Sequence, residues 1–362
     1  MWGVHDALSA KILHSVSKSM PDANNSKSLC PTDESSEDKL QDSRSNAQSG
    51  LFVSGFGVSA SRLGVPDAGI IARPDMVDTT NNILLSLSTQ SVGFDAGDDL
   101  DGSCGAPVVV VDGDTGFGGT ANVRRTIHSL AALGAAGVTI EDQIFPKRCT
   151  YVAGSSVQVV SRDQAKQRVE TAIQASKEAW EQRGQKLLIV GRTDCRNGDF
   201  SDGAKEALER CLLFQQAGAD IVYAESLHSA DEYIWLRQEI DDPRLPMMVA
   251  QVQQSVASLP SKTYKRSQQP PWTINEIGEM DYELALFGVT ALQVTVAALQ
   301  STARHVMHTG GVVTASSAFP GDSRQKDGTV PPLAPALASL EEVKSVVGFP
   351  ELDAFEADFG CS

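Results

Sequence analysis

A parallel (β/α)8 barrel with C-terminal helices is the fold this α/β sequence predicts, and three observations carry the prediction. Short apolar runs alternate with amphipathic stretches at the spacing of βαβ units. Seven strand segments begin near residues 51, 108, 138, 187, 221, 247 and 289, leaving room for a short or truncated first strand at Met1–Val4. Polar and charged residues recur where these strands end, which is where parallel barrels do their chemistry. The G-x-G-x-x-G turn of a doubly wound nucleotide-binding fold is absent, which ranks that architecture second.

In chain order, Asp6–His14 has helical spacing of apolar residues. The segment 17–48 is rich in Ser, Asn, Asp and Lys and reads as a disordered insertion. Leu51–Ser54 is a short strand ending in Ser54-Gly55-Phe56-Gly57, Leu63–Asp67 a turn, and Pro74–Gln90 a helix. Four β-branched residues, Val108–Val111, read as a strand buried on both faces. Helices are expected at Ala121–Leu133, Asp163–Arg183, Asp202–Ala217, Asp231–Glu239, Ile274–Tyr282 and Ala298–Thr309. Strands are expected at Val138–Glu141, Leu187–Val190, Ile221–Ala224, Met247–Ala250 and Val289–Thr295. Gly134, Gly184 and Gly218 stand where helices should stop. The expected division is a barrel over 1–335 and a helical segment over 336–362, with pieces at Ala334–Val346 and Pro350–Phe359.

Composition narrows the partners. The 362 residues carry 46 acidic and 30 basic side chains, a net charge of −16. That balance argues against nucleic acid or an anionic membrane as the main partner. No apolar run reaches the length of a membrane span. The N-terminus lacks the basic and apolar regions of a secretory signal. Six scattered cysteines without a C-x-x-C fit reduced thiols in a cytoplasmic setting, without excluding an organellar address.

The stretch VVVVDGDTGFGG at Val108–Gly119 concentrates the chemistry. Asp112 and Asp114, two apart at a strand end, point the same way. Two like charges there need a proton or a cation, and a hard ion such as Mg²⁺ is the simplest. A solvated turn that merely stops the strand is the other reading. Other strand ends present Ser54 and Gly55, Glu141 and Asp142, Arg192 and Asp194, Glu225, and Gln251. A structural ion pair between Glu225 and Arg192 is the plainer alternative, but recurrence at four or more consecutive strand ends favours an active site. Pro146-Lys147-Arg148-Cys149 places two cations beside a thiol, which would lower its pKa and ease proton exchange; an inert buried Cys is the plainer interpretation.

These segments resemble the isocitrate lyase/phosphoenolpyruvate mutase superfamily, in particular its methylisocitrate lyase and fungal oxaloacetate hydrolase-like members. The matching stretches are DALSA at 6–10, FVSGFGVSASRLGVPDAG at 52–69, VDGDTGFGG at 111–119, IEDQIFPKRC at 140–149, GRTD at 191–194 and AGADIVYAES at 217–226. The resemblance implies a Mg²⁺-dependent barrel, with Mn²⁺ as the substitute ion, acting on α-oxo or α-hydroxy di- or tricarboxylates. It implies Asp112, Asp114 and Glu141 as the metal-site acids. It implies Ser54, Gly55 and Phe56 as a carboxylate cradle, Arg192 as the cation on the carboxylate or oxo group, and Gln251 at a substrate-binding position. Glu225 would support the site, Asp67 would be the acid near the reaction centre, and Lys147, Arg148 and Cys149 would form a mobile loop in which the Cys donates a proton to an enolate. A homodimer or homotetramer is implied as well.

The chain also departs from that pattern. Thr150 and Tyr151 follow Cys149 where the lyases carry Gly-His, and Ala250-Gln251-Val252 stands where they carry carboxylate-binding Asn, Thr and Glu. Gln293-Val294 stands at the position expected for the Tyr-Pro usual at the last strand. The expectation is therefore a C–C lyase or hydrolase of altered specificity. A divergent member with only a metal- or carboxylate-binding role is the alternative. Phosphonopyruvate or phosphoenolpyruvate chemistry is a further one, disfavoured because those relatives typically carry Asn-Ser rather than Arg-Cys in the loop.

Overall fold

The alternation of β-branched runs and amphipathic segments resolves, in a computed structural model, into eight parallel strands arranged in sequence order, β1 to β8. The structure describes residues 1–19, 49–88, 108–150, 157–251, 272–310 and 338–358. The strands are β1 (Trp2–Val4), β2 (Leu51–Val53), β3 (Val109–Asp112), β4 (Gly137–Glu141), β5 (Leu188–Thr193), β6 (Ile221–Ala224), β7 (Met247–Ala250) and β8 (Leu284–Leu286). Each pairs in parallel with the next. Trp2 bridges Phe287, and the Gly3 N–H donates to the Phe287 carbonyl at 3.0 Å, which brings the last strand back to the first.

The helices between the strands are α1 (Ala7–Ser19), a short α2 (Gly55–Val58) continued by a wider turn over Ser59–Leu63, α3 (Arg73–Ser88), α4 (Thr120–Leu133), α5 (Arg162–Arg183), α6 (Gly203–Ala217), α7 (Ala230–Glu239) and α8 (Ile274–Glu279). Local sequence explains their limits. Ser161 and Gln164 form a reciprocal capping box at the start of α5, and Gly184 ends it in the left-handed conformation. Residues 1–289 form one compact unit. Residues 290–362 form a second, containing α9 (Thr290–Thr309), α10 (Leu340–Val347) and α11 (Phe349–Asp358).

Two expectations are corrected. The last strand is Leu284–Leu286, and the segment read as a strand at Val289–Thr295 lies in α9, which begins at Thr290. Gln293 and Val294 are therefore helical and do not stand at a strand end. The β-branched residues of Val289–Thr295 suggested a strand, but pairing with β7 falls to Leu-Ala-Leu at 284–286. In addition, α1 runs through Ser19, three residues into the segment expected to be disordered. Residues 20–48, and the polar segments 90–105 and 258–271, which fall outside the family-like motifs, lie outside the described residues, as does Tyr151.

Strand alternation sorts the core into two layers. Outward residues such as Val53, Val109, Val111, Val138, Ile140 and Ile189 pack with the helices. Inward residues Phe52, Val110, Val190, Ile221, Tyr223, Met248 and Leu286 fill the barrel. Two residues beyond Phe52, Val110, Val190, Tyr223 and Met248 come Ser54, Asp112, Arg192, Glu225 and Ala250. The period of two therefore carries the apolar fill upward into a polar mouth.

Candidate active site

The mouth of the barrel holds a pocket of about 550 Å³ including its open entrance, lined by Ser54, Asp67, Asp112, Lys147, Cys149, Arg192 and Glu225, among others. Its acidic end is built from β3 and β4. Asp112 lies at the end of β3, and the chain then turns through Gly113, where a Cβ would come within 2.5 Å of the Thr139 carbonyl. This close approach lets Asp114, in the left-handed conformation (φ 46°), swing back beside Asp112. The Asp114 carbonyl accepts from the Glu141 N–H at 2.9 Å, which sets the end of β4 against the turn. Ligand atoms of Asp112, Asp114 and Glu141 all lie within 4.8 Å of one another, and all three residues are buried.

Each carboxylate is held differently. Asp112 accepts from the Gly55 N–H (3.3 Å), the Asp114 N–H (3.3 Å) and the Thr139 hydroxyl (3.1 Å). Burial alone would raise its pKa, but the Lys147 and Arg192 charges and these donors keep it below the usual carboxylate range. Burial pushes Asp114 up to about 7, with Asp112 and Asp67 adding to the effect and Lys147 opposing it. Glu141 is pushed well above its ordinary range by burial, against the pull of Arg192. Among the described residues neither Glu141 carboxylate oxygen receives a hydrogen bond, and Arg192 Nε stands 3.6 Å from Oε2. Two orphaned oxygens beside two further carboxylates form a hard-oxygen set suited to a divalent cation such as Mg²⁺.

The basic residues are engaged. Lys147 Nζ pairs with Asp67 (2.8 Å) and with Asp114, and all three side chains are buried. Burial works against this ammonium, but Asp114, Asp67, Glu141 and Asp112 hold it firmly charged. Arg192 forms a bidentate pair with Asp194, Nε to Oδ2 at 2.9 Å and Nη2 to Oδ1 at 2.8 Å. It stacks over the Tyr223 ring at 5.4 Å and stands 3.5 Å from Glu225. Glu225 accepts from the Tyr223 hydroxyl and from Ser226 Oγ at 2.9 Å. Arg148 is exposed; its N–H donates to Gln143 Oε1 at 2.9 Å and its guanidinium reaches the Ala68 carbonyl. The Cys149 N–H donates to the Asp67 carbonyl at 3.2 Å, and the residue lines the pocket.

The sequence-predicted residues thus gather at one mouth, and four of them show particular roles. Ser54 acts as a helix cap, its Oγ accepting from the Gly57 N–H at 3.1 Å. The Gly55 N–H is aimed at Asp112, and a Cβ there would approach Asp112 Oδ2 to 3.0 Å, so a larger residue would crowd the acid. Phe56 lines the pocket. Gln251 lines it too, but its amide spans the Trp272 backbone, donating to the carbonyl (2.7 Å) and accepting from the N–H (2.8 Å). Asp194, named among the strand ends but given no role, and Tyr223 and Gln143, not named there, also contribute. Asp194 grips Arg192, Tyr223 supports Glu225, and Gln143 ties down the loop. All three lie two positions from a residue that was singled out, so the strand period was the available signal. Behind them Asp142 accepts from Arg210 (3.0 Å), Thr193 (2.7 Å) and the Asp194 N–H (3.0 Å).

A parallel barrel whose mouth gathers acids fit for a divalent ion, next to an arginine and a thiol, is an enzyme scaffold for small anionic substrates. Comparison with known proteins assigns it further. The family model described as phosphoenolpyruvate phosphomutase matches residues 1–307. The chain belongs to the phosphoenolpyruvate mutase/isocitrate lyase superfamily. It is 28% identical over 260 residues to a 2-methylisocitrate lyase of Aeropyrum pernix, covering 72% of this chain and 69% of that one. It is 32% identical over 199 residues to the 2,3-dimethylmalate lyase of Eubacterium barkeri, covering 55% of this chain and 59% of that one. A solved structure of oxaloacetate acetylhydrolase in complex with the inhibitor 3,3-difluorooxalacetate matches the fold with a TM-score of 0.67 at 24% identity, covering 99% of this chain and 90% of that one.

Proposed function

We propose that this chain is a Mg²⁺-dependent lyase or hydrolase that cleaves a C–C bond of an α-oxo or α-hydroxy dicarboxylate through an enolate-like anion. The observation that carries the reading is the Asp112–Asp114–Glu141 cluster, with its orphaned Glu141 oxygens, whose Asp112 lines one pocket with Arg192 and Cys149. The three acids would hold the metal, which when bound supplies Lewis-acid stabilisation of charge developing on the substrate oxygens.

The protein's own groups supply the rest. Arg192, fixed by Asp194, offers its remaining N–H groups to a carboxylate or oxo group and stabilises the anion as it forms. Cleavage leaves the bonding electron pair on the carbon next to a carboxylate. In a lyase reaction the Cys149 thiol delivers a proton to that carbon. Asp67 and Lys147 hold the loop that carries the thiol. The lining also includes the apolar Phe52, Phe56, Ala250 and Leu286, which supports a diacid with a short alkyl substituent over a tricarboxylate.

The test is turnover of oxaloacetate, methylisocitrate, isocitrate, dimethylmalate and phosphonopyruvate with Mg²⁺, and after chelation. Turnover of a dicarboxylate that EDTA abolishes and Mg²⁺ restores is expected. No turnover of any of them, with no Mg²⁺-linked thermal shift, would overturn the proposal and leave the divergent, non-catalytic reading. Turnover confined to phosphonopyruvate would replace C–C cleavage of dicarboxylates with phosphonate chemistry, which the Arg148-Cys149 pair disfavours.

A further inference from the structure

The site as proposed leaves Thr150, the first residue at which the loop departs from the lyase pattern, without a role. We infer that Thr150 is a positioning residue that latches the 147–150 loop onto Asp194, setting Cys149 and Arg192 in one register. Its purpose rests on the proposed function; its geometry does not.

Thr150 Oγ1 donates to Asp194 Oδ1 at 2.6 Å, with both residues buried. The same oxygen accepts from Arg192 Nη2 at 2.8 Å, and the other takes Arg192 Nε at 2.9 Å. One carboxylate therefore binds the loop and aims the guanidinium. Asp194 is itself a fixed post. Its N–H donates to Asp142, which Arg210 and Thr193 hold from behind.

The other loop residues are tied elsewhere. Lys147 pairs with Asp67 and Asp114, the Arg148 N–H donates to Gln143, and the Cys149 N–H donates to the Asp67 carbonyl. Lys147 thus anchors the loop at the metal side, and Thr150 anchors it at the Arg192 side. Cys149 lies between the two anchors in sequence and lines the pocket. A glycine at position 150 has no side chain to make the second anchor. Removing the hydroxyl leaves Asp194 still paired with Arg192, so the loss falls on the loop and not on a stranded buried charge.

The test compares Thr150→Val, nearly isosteric but without a donor, with Thr150→Ser, which keeps the donor. The readout is the rate at which iodoacetamide labels Cys149, followed by peptide mass. Cys195 and Cys211 are fully buried and serve as controls for the fold. The Val variant is expected to label Cys149 at least about tenfold faster than wild type, because a hydrogen bond to a carboxylate no longer restrains local opening. Ser should retain the wild-type rate, and Cys195 and Cys211 should stay slow in both. On whichever substrate turns over, the Val variant should lose kcat more than it changes KM.

Equal Cys149 labelling in wild type and Thr150→Val, or failure of Ser to retain protection, overturns the latch. If the Val variant unfolds and Cys195 reacts, Thr150→Ala is compared with Ser instead, and equal rates there overturn it. Binding of Mg²⁺ with oxalate is measured alongside. Absence of that binding, with labelling rates still separated, overturns the proposed function and leaves the latch standing.

Discussion

Glu141 brings the polar chemistry of this protein to one point. A carboxylate buried with no hydrogen-bond donor among the described residues is costly to keep charged, and its neighbours Asp112 and Asp114 deepen that cost. A bound divalent cation removes it. Asp112→Asn keeps the side chain's size but removes a charged ligand. It is expected to abolish the Mg²⁺-induced thermal shift and to lower turnover about a hundredfold or more. Cys149→Ser separates proton delivery from metal binding. Turnover should fall by a factor of about 10²–10⁴, the usual worth of a positioned acid, with the Mg²⁺-linked shift unchanged. Unaltered activity would remove Cys149 from the mechanism. Burial pushes the thiols of Cys195 and Cys211 well up, so both should resist alkylation in the native protein.

At the scale of elements, β4, β5 and α6 are joined by a brace under the site. Arg210 on α6 donates to Asp142, at the end of β4, and Asp142 accepts from Thr193 and Asp194, at the end of β5. Arg210→Ala would leave Asp142 buried without its cation. Loss of one partner of a buried pair predicts destabilisation by about 3–5 kcal/mol, measurable by urea denaturation. A change under 1 kcal/mol would show that the brace is not structural. The same elements show how far sequence patterning reaches. Ile221–Ala224 and Met247–Ala250 were legible to the residue, because four-residue apolar runs bounded by turns are too short for a helix and read as buried strands. Leu284–Leu286 was not legible, because three helix-compatible residues become a strand only by pairing with Met248–Ala250.

At the scale of the molecule, the barrel needs all eight strands to make its mouth, and the site draws on at least five of them. The unit 290–362 shows a different feature. Its helices α10 and α11 expose Leu340 (73%), Val343, Val347, Phe349, Leu352 and Phe355 (59%). The dimer or tetramer remains an expectation from the family resemblance. Light scattering is expected to give two or four times the 38.5 kDa chain mass. A monomer at micromolar concentration would count against the assembly. Among the described residues no helix is long and apolar enough to cross a membrane.

By itself the sequence determined the barrel, the acids Asp112, Asp114 and Glu141, the Arg192 and Cys149 positions, and the family, because these follow from strand period, local turn chemistry and contiguous motifs. Only the tertiary structure decided what each group is bonded to. It showed Arg192 held by Asp194, Asp67 neutralising Lys147, Gln251 committed to the Trp272 backbone, and Thr150 joined to Asp194 across 44 residues. Such pairings depend on which strand ends the barrel brings together and on how far each side chain reaches. A one-dimensional pattern encodes the direction of a side chain but not the distance to its partner.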